Sequence, residues 1–135
     1  MTEKQLHKQI CDYIHLQYPK VIFNTDMSGL KLSIGEAVRA KKLRSSNGFP
    51  DIQILETREI NGCVMFEGQL CKAFHFCGLF LEIKIASPFK KNNTVFSKYK
   101  HQDEMHKELR KRGYLAVFVW SFEMAKEIID KYLKS

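Results

Sequence analysis

Nothing in this chain is long and apolar enough to cross a bilayer. A spanning helix needs roughly 20 consecutive apolar residues, and the longest apolar runs here are strand-sized. Secretion is not expected either, because Met1 to Gln5 lead into a polar helical pattern rather than an apolar core. Proline occurs only three times and tryptophan once, and no linker, internal repeat or low-complexity tract interrupts the sequence. The expectation is therefore a single domain over residues 1–135 that works inside the cell, in the cytoplasm, with no membrane partner. Acidic residues are scarce as well: 15 Asp and Glu stand against 22 Lys and Arg, for a net charge of +7. That imbalance points to an acidic partner, with nucleic acid first. The four cysteines, Cys11, Cys63, Cys71 and Cys77, read in an intracellular chain as reduced thiols rather than a disulfide framework.

What is present alternates between helical and strand periods. Leu6, Ile10, Tyr13 and Ile14 follow helical spacing over 2–18, with Thr2 as cap and Pro19 as the stop. Val21-Ile22-Phe23 predicts a short buried strand, Ser28-Gly29 a turn, and Ser33 with Glu36 a capping box that opens a helix to about Leu43. After a loop at Ser45-Ser46-Asn47-Gly48, Pro50 precedes a strand over 51–55. Asn61-Gly62 predicts the turn of a hairpin inserted at about 56–78. An apolar strand over 79–85 leads to a basic loop over 88–94, then a helix over 96–112 stopped by Gly113. Leu115 to Trp120 is apolar on both faces and so reads as a central strand, and Ser121 caps a closing helix. This order predicts an α/β sandwich, a mixed central sheet flanked by helices.

Two segments break the apolar rule of the strands. Asp51 follows Gly48-Phe49-Pro50 directly, and Glu82 and Lys84 lie two apart inside LFLEIKI, hence on one face of the strand. A carboxylate and an ammonium there are costly to bury without partners. A divalent metal bound by Asp51 and Glu82, with Lys84 beside it, would compensate. The same set suits phosphodiester hydrolysis: two carboxylates hold Mg²⁺, the metal activates water, and the lysine orients that water or stabilises developing charge. A structural ion pair at the end of the sheet is the plain alternative.

Gly48-Phe49-Pro50-Asp51 followed by Leu81-Glu82-Ile83-Lys84 resembles the PD-(D/E)xK nuclease superfamily, and more narrowly the VRR-NUC nucleases. The resemblance extends over nearly the whole chain, through Gln102, Gly113, LAVFVW and the helix after Ser121. It implies a restriction-endonuclease-like fold and a Mg²⁺-dependent endodeoxyribonuclease, with Mn²⁺ able to substitute, acting on branched or flapped DNA. It further implies metal ligation by Asp51, Glu82 and Ile83, catalysis by Lys84 with help from Gln102 and Glu3, and a homodimer of a kind found in phage and bacteria. Gln5 or Gln9, one or two turns along the first helix, are alternatives to Glu3. The stretch between Asp51 and Glu82 holds 82 − 51 − 1 = 30 residues, long for the family, and the inserted hairpin accounts for the surplus.

Around this constellation, Arg39, Lys41, Lys42, Arg44, Lys90, Lys91 and Lys98 are candidate phosphate contacts. His101 and His106 read as surface histidines, and most of the phenylalanines and Trp120 as core. Two other functions remain open. One is a non-catalytic nucleic-acid-binding module with a degenerate site. The other is an interaction protein stapled by zinc through Cys63, Cys71, His75 and Cys77, although their spacing lacks the tight Cys pairs of zinc knuckles.

Overall fold

A computed structural model describes residues 1–25, 33–43, 49–59, 63–66, 69–72 and 75–134, with backbone alone at 37, 40–43, 63–66 and 69–72. Helix α1 (Glu3–Gln17) begins at a full capping box: the Thr2 hydroxyl accepts from the Gln5 amide, and the Gln5 side chain accepts from the Thr2 amide. Strand β1 (Phe23–Thr25) follows. It starts two residues later than the apolar triplet predicted, since Val21 is only half-buried and Ile22 is 67% exposed. Helix α2 (Ile34–Leu43) opens where expected, with the Ser33 hydroxyl accepting from the Glu36 amide. The expected Ser28-Gly29 turn and the loop over 45–48 lie outside the described residues.

Strand β2 (Ile52–Ile54) is followed by the insertion. This comprises β3 (Arg58–Glu59), β4 (Cys63–Phe66), β5 (Gln69–Lys72) and β6 (His75–Phe76), with β3 paired to β6 and β4 to β5, both antiparallel. β4 and β5 pair from Cys63 with Lys72 to Phe66 with Gln69, while the expected Asn61-Gly62 turn lies outside the described residues. Then come β7 (Gly78–Ile83), a 3₁₀ turn (Ser97–Tyr99), α3 (Lys100–Lys111), β8 (Tyr114–Val119) and α4 (Phe122–Leu133). α3 starts later than predicted because the 3₁₀ turn takes up its first residues. It stops at Gly113, whose φ of 94° is the left-handed value a side chain disfavours.

The main sheet has the order β1-β2-β7-β8, antiparallel except for the parallel β7–β8 pair that α3 connects. It is the predicted mixed sheet flanked by helices. β8, however, is the last strand of the order rather than a central one. Leu115 to Val119 are nevertheless fully buried, because helices cover both faces, and the Arg110 Nε donates to the Ala116 carbonyl at 3.0 Å. Apolar character on both faces reports two-sided cover, not two strand neighbours.

The two faces of the sheet are unequal. Leu79, Leu81 and Ile83 of β7 alternate with Phe80 and Glu82. The odd positions, with Leu115, Val117 and Val119, meet Leu6, Ile10 and Ile14 of α1 and Ala125, Ile128 and Ile129 of α4 in the large core. Tyr13 and Tyr18 tie α1 to α4 by donating to Asp130 Oδ1, each at 2.6 Å. On the other face, among the described residues, Phe80, Leu109 and Ala116 form a small buried cluster beneath α3, and the buried Phe118 packs against Phe89 and His106. Among the described residues no helix is long and apolar enough to cross a membrane.

Candidate metal and catalytic site

Glu82 is 3% and Lys84 7% exposed, on the α3 side of β7 where apolar cover is thin. Asp51 reaches them by way of the strand register. β2 pairs Ile52 with Leu81, so Ile83 would next meet residue 50, but β2 begins only at Ile52. The Asp51 side chain takes over: its Oδ2 accepts the Ile83 amide at 2.8 Å. In an extended strand the N–H and C=O of one residue point to the same edge, so the Ile83 carbonyl also looks toward Asp51. Isoleucine has no side-chain donor, and that carbonyl is the atom through which Ile83 would bind a cation.

Lys84 Nζ stands 3.8 Å from Glu82 Oε2, and Glu82 Oε1 is buried without a hydrogen-bond partner among the described residues. Burial, then a hydrogen bond and charge from Asp51, push the Glu82 carboxyl up to about 10; Lys84 opposes this and Glu3 adds to it. Two carboxyls in mutual reach, one oxygen of them unpartnered, and a backbone carbonyl make a hard oxygen donor set that suits Mg²⁺ with waters completing its shell. Such a cation would displace the proton that Glu82 otherwise keeps at neutral pH. Among the described residues no three His, Cys, Asp or Glu side chains converge on one point; Asp51 and Glu82 are the carboxyls that come together. Glu3 is exposed in the first turn of α1, close enough for its charge to act on Glu82. Of its alternatives, Gln5 is spent in the capping box, while Gln9 is half-buried with an unpartnered Oε1.

Above the strand, Gln102 of α3 also has a buried, unpartnered Oε1. The sequence gives no hint of Tyr99, whose ring lies 4.5 Å below Lys84 Nζ and 5.0 Å from Lys98 Nζ. His106 corrects an expectation: it is fully buried, not on the surface. The signal for it was the spacing of four from Gln102, which sets both on one stripe of the helix. His101 is exposed as expected. Phe76 and Phe80 are core, Phe89 and Trp120 are half-buried against each other, and Phe96 is exposed.

The basic residues divide. Lys90, Lys91 and Lys98 are exposed in the segment that leaves β7, where Lys90 and Thr94 bond across the loop and Phe89 bridges to Val95. Arg39 is exposed on α2, whereas the side chains of Lys41 and Lys42 and all of Arg44 lie outside the described residues. So do the side chains of Cys63 and Cys71 in the zinc reading; His75 and Cys77 are exposed, His75 lying 3.9 Å from Glu59.

No protein-family model and no curated protein matches this chain. Among solved structures it is similar to a "VRR_NUC domain protein", with a TM-score of 0.61 and 21% identity over 99% of this chain and 89% of that one. At this identity the likeness establishes architecture: the chain has the mixed-sheet α/β fold of that VRR_NUC domain protein.

Proposed function

We propose that the chain is a divalent-metal-dependent nuclease that hydrolyses DNA phosphodiester bonds endonucleolytically. The observation that carries this is the half-buried Asp51 carboxyl in reach of the buried Glu82 carboxyl, with a buried Lys84 beside them on one face of the sheet. Likeness in fold to a VRR_NUC domain protein supports it.

Asp51, Glu82 and the Ile83 carbonyl would hold Mg²⁺, or Mn²⁺ in its place. When bound, the cation lowers the pKa of a coordinated water and draws charge from the phosphate. Lys84 contributes an ammonium fixed over Tyr99, from which N–H donors reach a non-bridging phosphate oxygen or the attacking water. Gln102 orients that water from α3. Lys90, Lys91 and Lys98 are free in solvent to neutralise flanking phosphates, with Arg39, Lys41, Lys42 and Arg44 extending the contact. The motif resemblance to VRR-NUC nucleases supports branched or flapped duplex as the substrate and a homodimer as the working unit.

The test is cleavage of labelled duplex, flap and four-way-junction DNA with Mg²⁺ or Mn²⁺, by wild type and Lys84→Ala. Metal-dependent cutting that disappears in Lys84→Ala is the expected result. Salt-sensitive binding without cutting of any substrate would instead favour a binding module. Cutting that survives Lys84→Ala would mean that the site is misplaced.

A further inference from the structure

A buried histidine ordinarily finds partners for its ring. His106 is 0% exposed and neither ring nitrogen has a partner among the described residues. It packs 4.4 Å from the Phe118 ring, and Phe118 is the register neighbour of Glu82. Burial, then the charges of Arg110 and Lys84, push its pKa down to about 3, so the imidazole is neutral. A neutral imidazole offers one N–H donor and one bare acceptor nitrogen. One turn earlier on the same stripe of α3, Gln102 offers a buried acceptor oxygen that is also unpartnered. Lys84 supplies ammonium donors, while its nearest carboxylate oxygen, at 3.8 Å, is beyond hydrogen-bond length. One water seated among them would serve all three: its two O–H groups would donate to the bare His106 nitrogen and to Gln102 Oε1, and its oxygen would accept from Lys84, whose charge already acts on the His106 ring. Three bonds is the usual complement of a buried water.

We propose that His106 is a positioning residue that, together with Gln102, holds a buried water beneath α3 and through it fixes the ammonium of Lys84. The assignment of Lys84 as the catalytic lysine rests on the nuclease reading; the water site does not.

Two measurements separate the two claims. In metal-free protein, long-range ¹H–¹⁵N NMR is expected to show His106 in a single neutral tautomer, with magnetisation transfer from a long-lived water to its ring. A ring without water contact overturns the proposal, whether or not the protein cuts DNA. In the cleavage assay, His106→Leu is expected to lower kcat at least tenfold with KM for DNA unchanged. Either His106→Asn or His106→Gln, whose amide oxygens stand near the two ring nitrogens, is expected to recover part of the loss. Full kcat in His106→Leu, or an equal loss in all three folded variants, overturns the positioning role. If His106→Leu does not fold, the amide variants and the NMR measurement decide. A wild type that cuts nothing would sink the nuclease reading and leave the water site to the NMR result.

Discussion

Replacing Glu82 with glutamine should stabilise the metal-free protein, against the usual result of altering a buried site. The carboxyl is held up to about 10 by burial and by Asp51, so at pH 7 it is protonated in the fold and ionised in the unfolded chain. A raised carboxyl opposes folding at any pH above its unfolded value, because folding must then take up a proton. The penalty begins near the ordinary 4.5 and grows until the folded value is passed. At pH 7 it depends on the distance from 4.5 and not on how far above 7 the folded value lies. About 2.5 pH units at about 1.4 kcal/mol per unit give about 3 kcal/mol. The glutamine amide has nearly the same shape as the protonated carboxyl and needs no proton. Glu82→Gln should therefore gain about 3 kcal/mol at pH 7, roughly 10 °C in Tm for a chain of this size, and almost nothing at pH 4. Urea and thermal unfolding of both proteins in EDTA, from pH 4 to 8, measure the difference. Mg²⁺ should then narrow the gap, since it stabilises only the form that binds it. Parallel pH curves for the two proteins would refute the reasoning, because they would mean that Glu82 is ionised in the fold through its contact with Lys84.

Other outcomes follow from the same geometry. Lys84→Met, which keeps the buried stem and removes the ammonium, should lower cleavage by at least 100-fold, about 2.7 kcal/mol of barrier, while DNA affinity by fluorescence anisotropy changes less than threefold. Asp130→Asn should cost about 1–2 kcal/mol at pH 7. Burial raises the Asp130 carboxyl, but the Tyr13 and Tyr18 hydroxyls and the Lys134 and Lys126 charges outweigh it, so it titrates below its ordinary value. Its contribution is present above the unfolded value of about 4 and lost as pH falls through the folded one. Wild type and variant should accordingly converge in acid, as urea unfolding at pH 7 and pH 3 would reveal. Gly113→Ala should cost about 1–2 kcal/mol, since a Cβ at φ 94° is strained and would sit 3.4 Å from the Cys77 sulfur. Differential scanning calorimetry checks this.

Asp51, Glu82 and Lys84 were legible in the sequence because charge inside an apolar strand is conspicuous, and the period of two sets Glu82 and Lys84 on one face. How Asp51 reaches them was not, since it depends on β2 starting only at Ile52 and leaving the Ile83 amide for a side chain to cap. Helix ends were legible where a cap or a glycine marks them, as at Thr2, Ser33, Gly113 and Ser121. Strand neighbours were not. Residues 115–119 are apolar for their two helical covers and not for two strand neighbours. His106 and Tyr99 went unseen because each is defined by what it faces across space. Only the interval from Gln102 to His106 carried any sign of this in one dimension.

The inequality of the sheet's two faces ties stability to function. Against α1 and α4, β7 presents Leu79, Leu81 and Ile83 to a continuous apolar core, and that burial accounts for most of the hydrophobic stabilisation. Against α3 the same strand presents Phe80 and then Glu82, with Lys84 just beyond its end, and among the described residues the apolar cluster there is smaller. Gln102 and His106, which α3 lays over them, leave polar atoms unpartnered where leucines would have packed. Each such atom costs about 1–3 kcal/mol unless something beyond the side chains satisfies it. A fold under selection for stability alone would place apolar residues there, so the polar stripe of α3 and the charged pair of β7 together single out the side of the sheet on which the proposed chemistry would be done.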